Sequence, residues 1–190
     1  MADGTLKVGT ITTSSGSGTI TIGQSGETIT IPTGATITNS GTATGFGSNN
    51  TPAFHATMSG SQTIANATTT TLQYDTEVYD TDSAFNTSNY TFTAPSAGKY
   101  FFKIATAGIF CDSTTETCII GVYVNGTQYQ KTTHNRGTVQ TDTSFFHESI
   151  VSLSASDAVT AKIYQTQGSS RGTDAAVVST FFQGFKLIGA

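Results

Sequence analysis

The chain has 190 residues, a formal net charge of −4 and only 8 Lys and Arg against 12 Asp and Glu, while Thr (39), Ser (20) and Gly (20) are abundant. Eight scattered cations exclude an electrostatic nucleic-acid binder, and so low a charge density excludes the highly charged kind of disorder. No apolar run approaches the roughly 18 residues of a membrane helix, so no membrane insertion is expected.

At the amino terminus, Met1-Ala2-Asp3-Gly4 has neither the basic start nor the apolar stretch of a secretion signal, and synthesis in a cytoplasm is expected. The first fifty residues hold three charges, Asp3, Lys7 and Glu27, and one aromatic, Phe46. Such a segment closes no ordinary core by itself. It carries instead a repeat: Ile11-Thr12-Thr13, Ile20-Thr21-Ile22, Ile29-Thr30-Ile31 and Ile37-Thr38-Asn39, spaced nine, nine and eight residues apart. Alternating Ile and Thr suits short strands with one hidden face, and Gly23-Gln24-Ser25-Gly26 and Pro32-Thr33-Gly34 read as turns between them. Residues 1–47 are therefore expected to form a β-repeat anchor or stalk, a solenoid or small meander, with Ile11, Ile20, Ile22, Ile29, Ile31 and Ile37 as its apolar positions. The surface it lacks would come from another chain, from a trimeric β-stalk or from a larger particle. The alternative is a flexible Gly/Ser/Thr linker.

Residues 51–190 read as one all-β domain, with β-branched and aromatic runs every 8 to 15 residues and no helical period. Asp75-Thr76-Glu77-Val78-Tyr79-Asp80-Thr81-Asp82 reads as an acidic loop, either a solvated one or a calcium site outside the EF-hand pattern. Tyr100, Phe102 and Ile104 alternate onto one strand face. Cys111 and Cys118 either bridge a hairpin or remain two reduced thiols. Ile119–Val124 is apolar on both faces and stops at Asn125-Gly126, a hairpin signal. Further strands are expected over 145–153, 159–165 and 177–188, enough for a two-sheet sandwich. Two polar loops, Thr132–Thr138 with His134, Asn135 and Arg136, and Gln167–Gly172 with Ser169, Ser170 and Arg171, are the candidate binding loops, although ordinary solvent loops look the same.

Phe92-Thr93-Ala94-Pro95-Ser96-Ala97-Gly98-Lys99-Tyr100-Phe101-Phe102 fits the pattern F-x-x-P-x-x-G-x-Y-x-F and resembles the complement C1q globular-head family, whose jelly roll is shared with the tumour necrosis factor ligands. Ser179-Thr180-Phe181-Phe182-Gln183-Gly184-Phe185-Lys186-Leu187-Ile188 is similar to that family's last strand, Pro52–Ala56 with Phe54 to its first, Val122–Gly126 to its middle one, and Asp157-Ala158-Val159 to the turn before a later one. The resemblance implies a C1q/TNF-like jelly-roll β-sandwich. Its signature core would comprise Phe54, Phe92, Pro95, Gly98, Tyr100, Phe102, Phe182, Gly184, Phe185 and Leu187. It also implies a homotrimer that buries its inner sheets. The family's collagen stalk is replaced by the Ile/Thr/Gly repeat. As a whole, the chain resembles structural proteins of tailed bacteriophages, which are assembled into the virion in the host cytoplasm.

Nothing points to catalysis or to a cofactor. His55, His134 and His147 are isolated and without metal-ligand spacing, and no nucleophile elbow or phosphate loop occurs. The expected function is that of a non-catalytic virion structural protein: a head decoration, cement or short fibre whose amino-terminal segment meets other virion proteins. The alternative is a tail-fibre tip that recognises a host-surface receptor.

Overall fold

The computed structural model describes residues 10–12, 18–38, 40, 51–108, 116–134, 144–174 and 179–187. The chain divides into two compact units, Met1–Phe46 and Gly47–Ala190. In the larger unit the described residues form strands β1 (Ala53–Thr57), β2 (Thr63–Ile64), β3 (Thr70–Thr71), β4 (Thr76–Asp80), β5 (Phe85–Asn86), β6 (Thr91–Thr93) and β7 (Gly98–Ala107). They are followed by β8 (Cys118–Val124), β9 (Thr127–His134), β10 (Ser144–Leu153), β11 (Ala158–Gln165), β12 (Arg171–Gly172) and β13 (Phe181–Lys186). No described residue is helical.

Two sheets carry the architecture, one in the order β10-β7-β13-β1-β4 and the other in the order β5-β6-β11-β8-β9, with β3 beside β11. The pairings are antiparallel, and neighbours such as β1 and β13 lie far apart in sequence, which is the crossed connectivity of a jelly roll. The order follows from side-chain alternation. Along β10 every second residue from Phe145 to Leu153 is buried, and β11 repeats the pattern from Val159 to Gln165, so each strand gives one face to the interior.

The interior is aromatic at its centre. Phe54 stacks on Phe85 and Phe92, with ring centroids 4.9 and 5.0 Å away, and meets Phe182 edge-on at 4.9 Å. Such pairs add about 0.5–1.5 kcal/mol each beyond the area they bury. Tyr74 is fully buried, and its hydroxyl donates to Ala105 O at 2.9 Å; burial pushes the phenol well above its ordinary pKa.

The corner between β6 and β7 brings the signature residues together. Phe92 and Tyr100 lie on either side of it with rings 5.5 Å apart, and the Tyr100 hydroxyl donates to Ser96 O at 2.7 Å. Pro95 itself is exposed and Gly98 half-buried: they shape the turn, and the aromatics fill the core. Phe185 and Leu187 are half-buried rather than interior. Gly184 faces inward, so its neighbour Phe185 must face outward.

Other expectations shift for local reasons. Within the acidic stretch, Thr76–Asp80 is strand β4, paired along the edge of β1, because Thr76, Val78 and Tyr79 favour a pleated surface. The first candidate loop begins later than expected, since β9 pairs with β8 as far as His134; Asn135 and Arg136 lie outside the described residues. In the second, Arg171 and Gly172 pair with β2. The last strand is shorter than expected, Phe181–Lys186. Asn125 and Gly126 connect β8 to β9 with φ of 49° and 81°, as a tight hairpin turn requires.

In the smaller unit the described residues of the Ile/Thr repeat form turns and no strand. All six isoleucines are 43–64% exposed. Burying each would contribute about 1.5–3 kcal/mol.

Candidate functional site

The five-stranded sheet has a second face, directed away from the sandwich, and that face is unusually aromatic. Three rows fixed by strand register occupy its middle, between the outward pairs Ser152–Lys99 and Ser144–Ala107. Ile150, Phe101, Phe185 and Ala53 form the first; Glu148, Lys103, Gln183, His55 and Tyr79 the second; Phe146, Ala105, Phe181 and Thr57 the third. Two mainly apolar rows thus enclose a polar one, with Ala105 and Thr57 of the third row themselves buried. Phe146 and Ile150 are 50% and 54% exposed, and Phe101, Phe181 and Phe185 are half-buried.

Contacts within the face fix its side chains. Phe101 and Phe185 have centroids 5.3 Å apart. His55 sits between Tyr79 and Phe181, at 6.0 and 5.6 Å, and burial holds its pKa below the ordinary histidine value. The Lys103 ammonium lies 3.5 Å from Glu148 and 5.5 Å from the Phe146 ring centroid. With side chains 34% and 52% exposed, this ion pair contributes at most about 1 kcal/mol. The face offers rigid apolar area with a polar stripe that sets register, the composition of an interface core rather than of a reaction centre.

The remaining candidates have structural tasks. Asp75 accepts the N–H and hydroxyl of Ser59 at 2.7 and 2.5 Å; burial opposes its ionisation, but these bonds and one from Thr76 hold its pKa below the usual carboxylate value. Asp80 accepts the Phe85 N–H at 2.6 Å. These carboxylates tie chain segments together, and among the described residues no three His, Cys, Asp or Glu side chains converge as a metal site. His134 packs edge-on to Phe145, 4.8 Å between centroids. His147 is buried with Nδ1 2.9 Å from the Thr132 hydroxyl; burial lowers its pKa, with Glu148 opposing.

Of the second loop, Ser169 gives its carbonyl to Gln165 Nε2 at 2.9 Å, and Arg171 donates from Nε to Gln167 Oε1 at 2.7 Å; Ser170 is exposed. Cys118 is buried and disulfide-bonded; the sequence's only other cysteine, Cys111, lies outside the described residues.

The outward face was legible through a signal that the signature residues hid. Phe101-Phe102, Phe145-Phe146 and Phe181-Phe182 are adjacent pairs in strands β7, β10 and β13, which are neighbours in one sheet. A strand cannot bury both members of such a pair in one core, so three doublets in adjacent strands mark a sheet with two apolar faces.

The structure of murine APRIL at pH 5.0 aligns with a TM-score of 0.53 at 14% identity, over 71% of this chain and 98% of that one. The murine APRIL structure at pH 8.5 gives 0.52 with the same identity and coverage. The globular domain of zebrafish complement 1qA gives 0.48 at 14% identity, over 72% of this chain and 97% of that one. No curated protein gives a match. At this identity the APRIL likeness shows a common fold. The C1q domain model matches residues 53–187, from β1 past β13 and over well more than half of the chain: the chain belongs to the C1q domain family.

Proposed function

We propose that the protein is a non-catalytic structural component of a tailed-bacteriophage particle. It is a homotrimer whose C1q-type knob projects from the surface and whose amino-terminal unit attaches to other virion proteins. The observation that carries the trimer is the outward face of the five-stranded sheet: mainly apolar rows on both sides of a polar stripe, with Phe146 and Ile150 50% and 54% exposed. Three such faces around an axis shelter Phe101, Phe146, Ile150, Phe181 and Phe185. Support for the virion role comes from the whole chain's resemblance to phage structural proteins, and from the Ile/Thr repeat lying outside the stretch matched to the family. Cys118 is disulfide-bonded, which suits a protein that works outside a reducing cytoplasm.

The test is location. Antibody raised against the chain should label purified phage particles on the capsid lattice, at positions of trimer-sized density. Labelling confined to the tail tip, with purified protein blocking infection, transfers the assignment to a host-recognising fibre. Absence from particles refutes the virion role.

A further inference from the structure

Two β-turns of the amino-terminal unit stand eight residues apart. Gly26 and Gly34, with φ of 89° and 87°, each lie two residues before a Thr-Ile-Thr run, Thr28–Thr30 and Thr36–Thr38; Gly18 and Gly23, with φ of 133° and 81°, flank the earlier run Thr19–Thr21. Glu27 N donates to Gln24 O and Ala35 N to Pro32 O, both at 3.0 Å. Gly26 and Gly34 are thereby the third residues of β-turns, where a type II turn needs positive φ. Gln24 N also donates to Glu27 Oε2 at 2.6 Å. Between these turns the isoleucines share one side of extended chain and the threonines the other. Among the described residues no strand pairing joins the runs to one another, and the six isoleucines, 43–64% exposed, call for neighbours.

We infer that the neighbours are the same segment from two further copies of this chain. Three repeats run in parallel about one axis, with isoleucines converging on it, threonines facing outward and turns between the runs. This rests on the trimeric assembly proposed above. Charge favours a self-partner over an unrelated one. In a symmetric parallel bundle every charge meets two copies of itself at the same level, and residues 1–46 contain just Asp3, Lys7 and Glu27, so the repulsion is slight. Area agrees as well. Six isoleucines at roughly 60–120 Å² of apolar surface each offer about 400–700 Å² per chain, close to the ~800 Å² per partner of a stable interface. The particle then meets the threonine faces and the tip of the stalk, and the isoleucines are its private core.

The experiment places single cysteines in the full chain. With Cys118 already disulfide-bonded, an introduced thiol is the reporter. Ile22→Cys puts it on the axis and Thr21→Cys on the outside; Ile29→Cys and Thr30→Cys repeat the pair one rung on, should the first fail to fold. After mild oxidation, denaturing gels without reductant should show the Ile22→Cys chains as covalent dimers with the third chain single, and the Thr21→Cys chains unlinked. Equal linking at both positions, or none, in a protein that retains trimer mass overturns the stalk and leaves the knob trimer standing. Protease protection of residues 18–38 that appears only on binding to particles overturns it in favour of docking on the virion. A single-chain mass overturns both stalk and trimer.

Discussion

Gly184 is buried where the interior has no room for a side chain. It lies on β13 opposite Phe102 on β7 and Phe54 on β1. A Cβ there would stand 2.6 Å from Phe102 Cδ1 and 2.8 Å from Phe101 O, where ordinary contact begins at 3.4 Å. Neither neighbour can withdraw. The Phe102 ring is held by Phe92 at 5.3 Å, Phe182 at 5.9 Å and Tyr100 at 6.2 Å, and the carbonyl belongs to the β7–β13 ladder. Gly184→Ala therefore costs about 2–3 kcal/mol, the upper part of the range for an overpacked core. In a domain of this size that is roughly 4–12 °C in melting temperature. Thermal and urea denaturation at matched protomer concentration would measure it, with Gly60→Ala, whose Cβ meets nothing within 4 Å, as the neutral control. A Gly184→Ala protein melting within about 1 °C of the unaltered one would refute the close-approach argument.

Four further outcomes follow from the same structure. Asn125 donates from Nδ2 to Asp157 Oδ1 and accepts the Ala158 N–H at 2.8 and 2.9 Å. Asn125→Ala removes both bonds and places alanine at positive φ, for a loss of about 1–2 kcal/mol in urea unfolding. The Asn125 bond, then the Ser154 N–H, hold the Asp157 pKa below its ordinary value, so Asn125→Ala should raise it, as carboxyl NMR titration would record. Reduction of the Cys118 disulfide should lower stability by about 2–4 kcal/mol, and thiol labelling of the native, unreduced protein should find no reactive cysteine. His55 and His147 both have pKa values lowered from 6.5, chiefly by burial. The unfolded chain then binds protons first, so stability is full above pH 6.5 and declines as pH falls through the lowered folded values. His147→Gln should flatten the decline of the melting temperature below pH 6.5, and an unchanged slope would show that His147 does not contribute.

The fold could be read from the chain where local chemistry and tertiary demand agree. Asn125-Gly126 is both a favoured turn and the actual β8–β9 connection, and the run from Phe92 to Phe102 contains its own corner and the aromatics that flank it. Edges and faces were harder. Asp75–Asp82 looked like a loop because carboxylates are hydrophilic, yet Asp75 bonds to Ser59, which tertiary contact brings near, Asp80 closes the local turn to Phe85, and β1 lends Thr76–Asp80 a strand partner. Phe185 looked interior because the last strand resembles that of the C1q family, and only the register with Gly184 turns it outward. The aromatic face itself was encoded in three phenylalanine doublets, but its meaning depends on β7, β10 and β13 being neighbours, a fact of topology rather than composition.

In the assembly proposed above, two further copies of the chain cover the outward face of the five-stranded sheet. Light scattering of the full chain at micromolar concentration tests this most directly. The predicted result is a mass near three times 19.7 kDa, unchanged on dilution through that range. A mass near 19.7 kDa would contradict it and leave Phe101, Phe146, Ile150, Phe181 and Phe185 facing water without a reason.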